Sequence, residues 1–125
     1  WTIDKIKSYL NKIKNKKKIL LLGLAYKKDI NDIRESASLK IYKKIRTMKN
    51  TTIDFYDSYI NKIQINKKMI SSINFVYNDL KNYDLVVILT DHSNLNYKLI
   101  EKFSKKIIDT RGVYKSSSSD KILHF

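Results

Sequence analysis

Apolar residues recur along this chain with two different periods. Ile3, Ile6, Leu10 and Ile13 follow one another at steps of three and four with lysines between them, which predicts an amphipathic entry helix within residues 1–16. Ile19 to Leu22 are continuously apolar and end at Gly23, the pattern of a strand buried on both faces of a parallel sheet. Ala37, Ile41, Ile45 and Met48 return to helical spacing, with Ser36 placed to cap the helix. Short β-rich runs at Thr52–Tyr56 and Asn74–Tyr77 predict two further strands, joined by a polar, partly helical connection that includes Asn61 to Met69. Leu85 to Leu89 form the second strongly apolar run, after a turn or short helix at Asp79–Tyr83. Leu95, Leu99, Ile100 and Phe103 then mark a helix face, and Ile107-Ile108 a strand that ends in Asp109.

Strands and helices alternating at this interval predict an α/β fold: a three-layer, Rossmann-like, mostly parallel sheet with helices on both faces, preceded by the entry helix. Residues 17–115 form the main domain in this reading. Residues 116–125 are a polar tail whose end, Lys121–Phe125, either adds an edge strand or frays.

Composition narrows the chemistry. The 125 residues include no cysteine and two histidines, His92 and His124, so thiol catalysis, disulfides and a zinc site are excluded or disfavoured, and no metal site is expected. No apolar run approaches the roughly 20 residues of a membrane span, which points to a cytoplasmic protein with no membrane partner. The chain starts at Trp1 rather than Met, so a fragment is expected. The net charge of +14 raises nucleic acid or another polyanion as a partner. Against that, the lysines are scattered, and the excess of Lys, Ile, Asn and Tyr reads as a compositional bias rather than a built basic surface.

Ligands of open α/β sheets bind beyond the carboxyl ends of the strands. The loops at those ends are Gly23 to Ser36, Thr90 to Ser93 and Asp109 to Tyr114, and they hold Arg34 and Arg111, two of the three arginines in a lysine-rich chain. A guanidinium grips phosphate or carboxylate with a planar fork that lysine lacks; a surface salt bridge is the plainer explanation. The first loop does not carry a dinucleotide fingerprint, because Ala25 and Lys28 stand where further glycines are needed, and a Walker loop is absent as well. The adjacent Asp91 and His92 are poorly placed to share a proton, so His92 is expected to cap the next helix or orient its loop.

The stretch Leu22-Gly-Leu-Ala-Tyr-Lys-Lys-Asp-Ile-Asn-Asp-Ile-Arg-Glu-Ser36, with Tyr83-Asp-Leu-Val-Val-Ile-Leu-Thr-Asp-His92 and Ile108-Asp-Thr-Arg-Gly-Val-Tyr114, resembles the C-terminal, UDP-binding domain of the UDP-glucose/GDP-mannose dehydrogenase family. The wording of the motifs is most similar to the branch that oxidises UDP-N-acetylglucosamine or UDP-N-acetylmannosamine to the uronic acid. The resemblance implies a two-step, NAD-dependent oxidation of a sugar C6 alcohol, with NAD held mainly by an N-terminal domain that this sequence lacks. It also implies a catalytic cysteine outside this chain, which would then hold no catalytic residue of its own, and a homo-oligomeric parent enzyme joined through central helices that are also missing.

By the same resemblance Tyr26, Lys27 and Arg111 face the UDP-sugar, and Arg34 reaches toward the cofactor NAD. Asp32, Glu35 and Ser36 shape the loop and cap the helix, and core packing is the competing role for Tyr26. Lys28 and Ile30 depart from the proline and valine frequent in related loops. The contrasting hypothesis is a stand-alone basic α/β module that binds nucleic acid or another polyanion; a purely structural role would show neither activity.

Overall fold

A continuous apolar run demands cover above and below, and the chain supplies it. The computed structural model describes residues 2–13, 15–25 and 37–124. Among these, the elements are α1 (Thr2–Leu10), β1 (Lys17–Leu22), α2 (Ala37–Arg46), β2 (Thr51–Tyr56), β3 (Lys62–Ile65), β4 (Lys68–Ser71), a 3₁₀ helix (Tyr77–Asn82), β5 (Leu85–Ile88), α3 (Tyr97–Phe103), β6 (Ile107–Asp109) and β7 (Ile122–His124). Five of the strands form one sheet in the order β2-β1-β5-β6-β7, every neighbouring pair parallel. The expected α/β class, its parallel sheet and its entry helix are all present.

Alternation along the strands builds two cores. Ile19 and Leu21 of β1, Leu85 and Val87 of β5 and Ile108 of β6 face one side, where they pack with Ile6 and Leu10 of α1 and Tyr42 and Ile45 of α2. Leu20, Leu22, Val86, Ile88 and Ile107 face the other, under Leu80 of the 3₁₀ helix and Ile100 of α3. Burying one such aliphatic side chain is worth about 1.5–3 kcal/mol, so the central strands dominate stability. On α2 the inward face is Ser38, Tyr42 and Ile45, while Ala37 is exposed. Tyr42 meets Phe55 edge to face at 5.9 Å, a core position that the aliphatic pattern passes over.

Two elements differ from the sequence reading. The connection expected to be partly helical is instead a β-hairpin, with Ile63 opposite Ile70 and Gln64 opposite Met69. Its two-residue loop, Asn66-Lys67, has φ of 51° and 67°, the left-handed pair that a tight hairpin turn of matching twist requires. Ile63 and Ile65 alternate with exposed Lys62 and Gln64, so the period is two, and the inward side joins the α1/α2 core. The strand expected at Asn74–Tyr77 is absent. Ile73 donates one backbone bond to Phe55 O, after which Phe75 stacks on Tyr56 at 4.6 Å and Tyr77 begins the 3₁₀ helix. The aromatic alternation there serves packing rather than pairing.

The entry helix is shorter than its apolar pattern. After Leu10 the chain tightens through bonds from Lys12 N to Tyr9 O and Ile13 N to Leu10 O, the narrowed last turn common at helix ends. The carboxyl-terminal tail resolves in favour of the edge strand: β7 pairs with β6 from Ile107↔Ile122 to Asp109↔His124.

Candidate ligand-binding site at the carboxyl edge of the sheet

The chain leaves β1 for β2 on one side and later returns to place β5 on the other, so the strand order reverses at β1/β5. Open α/β folds bind ligands at such a switch point, beyond the carboxyl ends of the strands. Here the strand ends are closed tightly onto one another. Leu89 N and Thr90 N both donate to Leu22 O, at 2.9 and 3.2 Å, and Gly23 N donates to Tyr56 O. Thr90 Oγ1 donates to Ala25 O at 2.9 Å.

Gly23 sits at φ +93°, and a Cβ built on it would lie 2.4 Å from Thr90 Cβ. The glycine therefore serves the approach of the β5 loop. It does not open a cradle for a pyrophosphate, and the described residues of this turn do not fit a dinucleotide.

Two aspartates at strand ends organise the loops. Asp109, ending β6, accepts from Arg111 N at 3.0 Å, Val113 N at 3.2 Å and Tyr114 N at 2.8 Å. Asp57, just past β2, accepts through Oδ1 from Tyr59 N at 2.8 Å and Ile60 N at 3.2 Å, and through Oδ2 from Leu24 N at 2.7 Å and Ala25 N at 2.9 Å. Both use the same local device, a carboxylate that folds the chain back onto the amide two residues ahead. Asp57 is 2% exposed. Burial pushes its carboxyl up, but the bonds from His92, Leu24, Tyr59 and Ala25 outweigh that and hold it below its ordinary value.

His92, 1% exposed, places Nε2 3.0 Å from Asp57 Oδ1. An ionised carboxylate only accepts, so Nε2 carries the proton. His92 thus pairs with Asp57, 35 residues back. His92 does not cap the following helix: Asn96 does, its side chain accepting from Leu99 N. Tyr59 covers the imidazole edge-on, with ring centroids 4.8 Å apart.

Arg111 stands at the carboxyl end of β6, where the sequence places it, and is exposed. Its Nε donates to Leu89 O at 2.7 Å, which anchors the guanidinium beside the β5 loop. Tyr26, Lys27 and Arg34 lie outside the described residues, as do Lys28, Ile30, Asp32, Glu35 and Ser36. Of these positions, the structure shows only that the backbone leading into them, at Leu24 and Ala25, is pinned by Asp57.

Sequence reasoning missed Asp57. The available signal was an aspartate directly after a strand, repeated at Asp109, but its reach to the amides of residues 24 and 25 appears only once the sheet closes.

Tyr114 links the last loop to α3, its hydroxyl donating to Tyr97 O. Burial first, then the charges of Glu101 and Asp109, hold its phenol well above the ordinary value of 10.0. A group raised in the folded state contributes stability that is complete below its unfolded pKa and is lost as pH climbs toward the folded value. Denaturant unfolding followed from neutral pH to about 11 should therefore show stability falling above 10, with Tyr114→Phe starting lower and falling less steeply.

A doubly wound parallel sheet with a polar, arginine-bearing carboxyl edge defines a nucleotide-binding type of α/β domain. Residues 20–116 match the model of the UDP-glucose/GDP-mannose dehydrogenase family, UDP binding domain, and the chain belongs to that family. Among curated relatives it is similar to a UDP-N-acetyl-D-mannosamine dehydrogenase of Methanococcus vannielii, 29% identical over 106 residues, covering 78% of this chain and 23% of the relative. An NDP-N-acetyl-D-galactosaminuronic acid dehydrogenase of Ralstonia solanacearum is 25% identical over 115 residues, covering 91% and 27%. Among solved structures, the UDP-N-acetyl-mannosamine dehydrogenase Cap5O from S. aureus superposes with a TM-score of 0.71 at 29% identity, over 99% of this chain and 28% of that one.

The chain thus spans about a quarter of the length of the curated relatives it matches. The family match gives the nucleic-acid alternative no support. Among the described residues, no helix is long and apolar enough to cross a membrane.

Proposed function

We propose that this chain holds the UDP-sugar of an NAD-dependent 6-dehydrogenase, of the kind that oxidises the C6 alcohol of a UDP-N-acetylhexosamine to the uronic acid. The observation that carries the reading is Arg111, exposed at the carboxyl edge of a family UDP binding domain, with Nε tied to Leu89 O. A diphosphate presents paired oxygens to a guanidinium fork, whereas a lysine meets it as a point charge. Tyr26 and Lys27 belong to the same proposed UDP-sugar surface and Arg34 to the side facing NAD.

Because the turn at Gly23 is filled by Thr90, the dinucleotide is assigned to other segments of the enzyme. So are the cysteine chemistry, for which this chain has no thiol, and the association of subunits into a homo-oligomer. The proposed location is the cytoplasm, where sugar nucleotides and NAD are both available.

Calorimetric titration with UDP and with UDP-N-acetylglucosamine tests the reading, with a DNA duplex as control. Uridine-dependent binding is expected, weakened about tenfold or more by Arg111→Ala and only partly restored by Arg111→Lys. Binding of the duplex with a steep salt dependence, and none of UDP, would overturn it.

A further inference from the structure

A hollow of about 200 Å³ lies on the side of the sheet that Leu20 faces, and the function proposed above leaves it unused. It exists because the chain beyond β4 does not continue as a strand along β2. Ile73 gives one backbone bond to Phe55 O, and the segment then passes through Phe75 and Val76 before Tyr77 opens the 3₁₀ helix. The hollow is the space left between this segment, β1 and the 3₁₀ helix.

Its buried lining is apolar or aromatic. Leu20 is 0% exposed, Leu80 1% and Tyr83 5%, and the Tyr83 hydroxyl is already engaged, donating to Asp54 Oδ2 at 2.8 Å. Its exposed lining is polar: Lys18, Asp79 and the amides of Asn74 and Asn82. Lys18 is held by its backbone, the amide donating to Asp84 Oδ2 at 2.8 Å and the carbonyl accepting from Asp84 N at 2.7 Å. Its Nζ stands 4.8 Å from the centroid of the Tyr83 ring, and Asp79 is near enough for its charge to push the Tyr83 phenol up. An ammonium and a carboxylate thus lie near one ring, on one hollow. Among the described residues neither has an ion-pair partner, and the Asn74 and Asn82 side chains make no hydrogen bond.

A guest complementary to this lining has an apolar body and one charge of each sign. Roughly 150 Å³ holds a benzene ring, so the hollow has room for a single branched or aromatic side chain. A carboxylate accepts from an ammonium and from an amide N–H, and an ammonium donates to a carboxylate and to an amide oxygen.

We propose that the hollow binds a free α-amino acid with an apolar side chain, its carboxylate on Lys18, its ammonium on Asp79 and its side chain against Leu20, Leu80 and Tyr83. The site is separate from the carboxyl edge. Lys18 is the second residue of β1 and Tyr83 stands two residues before β5, at the amino ends of parallel strands, whereas Arg111 follows the carboxyl end of β6. The proposal therefore does not rest on the UDP-sugar reading.

Calorimetric titration of the full chain with phenylalanine and with leucine tests it. Saturable binding of both is expected, and none of glycine, which lacks the side chain. N-acetylphenylalanine, without the ammonium, and phenylalaninamide, without the carboxylate, are each expected to bind about fivefold more weakly, the scale of an ion pair at a solvent-facing rim. Lys18→Met, which keeps the stem over Tyr83 and removes the charge, and Asp79→Asn should each weaken phenylalanine by a similar factor of about five. Both positions are exposed, so the fold does not depend on them, and the blocked ligands decide without any variant. No binding of either amino acid, blocked derivatives that bind as tightly as phenylalanine, or unchanged affinity in either variant overturns the proposal. Saturating UDP is expected to leave phenylalanine binding unchanged; displacement by UDP would place the hollow in the carboxyl-edge site and overturn the separate assignment.

Discussion

Gly23→Ala is expected to destabilise the domain by roughly 3 kcal/mol or more, lowering its melting temperature on the order of 10 °C. Two costs add. At φ +93° an alanine occupies backbone space that L-residues rarely enter, and its methyl would lie 2.4 Å from Thr90 Cβ, 2.7 Å from Thr90 N and 2.8 Å from Thr90 O. Backbone atoms cannot swing aside as a side-chain tip can. Thr90 is also held in place, by its amide to Leu22 O and its hydroxyl to Ala25 O. Gly112 provides the control. Its φ is +72°, but nothing lies within 4 Å of a built Cβ, so Gly112→Ala should cost roughly 1 kcal/mol, the conformational part alone. Thermal unfolding of the two variants side by side measures the steric contribution directly; similar losses in both would show that Thr90 yields.

Asp57→Asn carries the second large effect, roughly 3 kcal/mol at neutral pH. The substituted amide turns one accepting oxygen into a donor. Whichever way it is oriented, it then faces either the amides of Leu24 and Ala25 or the donors at Tyr59, Ile60 and His92. The pH dependence has a definite sign. The folded carboxyl titrates below its ordinary 3.8, so the unfolded chain takes up the proton first and the native state loses ground as pH falls. The stabilisation is complete above the unfolded value and disappears as pH drops through the lower folded one. Urea unfolding should show a gap between the two proteins that is constant from pH 7 to about 5 and narrows below 3.8. A gap independent of acid would mean that the charge of Asp57 contributes nothing.

The fold was legible where burial is two-sided. Ile19 to Leu22 and Leu85 to Leu89 are apolar at every position because no face of an interior parallel strand meets water, and runs this short suit a strand rather than a helix. The hairpin was not legible on the same grounds. Ile63 and Ile65 supply only two inward positions, and the Asn66-Lys67 turn lacks the glycine that usually announces such a loop.

In the candidate site, Arg111 was conspicuous because arginine is scarce in a chain so rich in lysine. Asp57 was silent for a different reason. A carboxylate that bonds backbone amides leaves no residue-type signature in its partners, and its ligands Leu24 and Ala25 lie more than 30 residues away. His92 was noticed for its chemistry, yet its role depends on a partner that only tertiary structure supplies.

The position of β1 between β2 and β5 also bears on how the chain emerges from a ribosome. Its two flanking partners are distant: Lys17 pairs with Thr51 on one side, and Ile19 with Leu85 on the other. Until Leu85–Ile88 has been synthesised, the most apolar stretch of the polypeptide has one edge without a neighbour, and such long-separated pairings form slowly. A nascent chain arrested before that point should bind chaperones and yield to protease, and one arrested after β6 has cleared the exit should resist both.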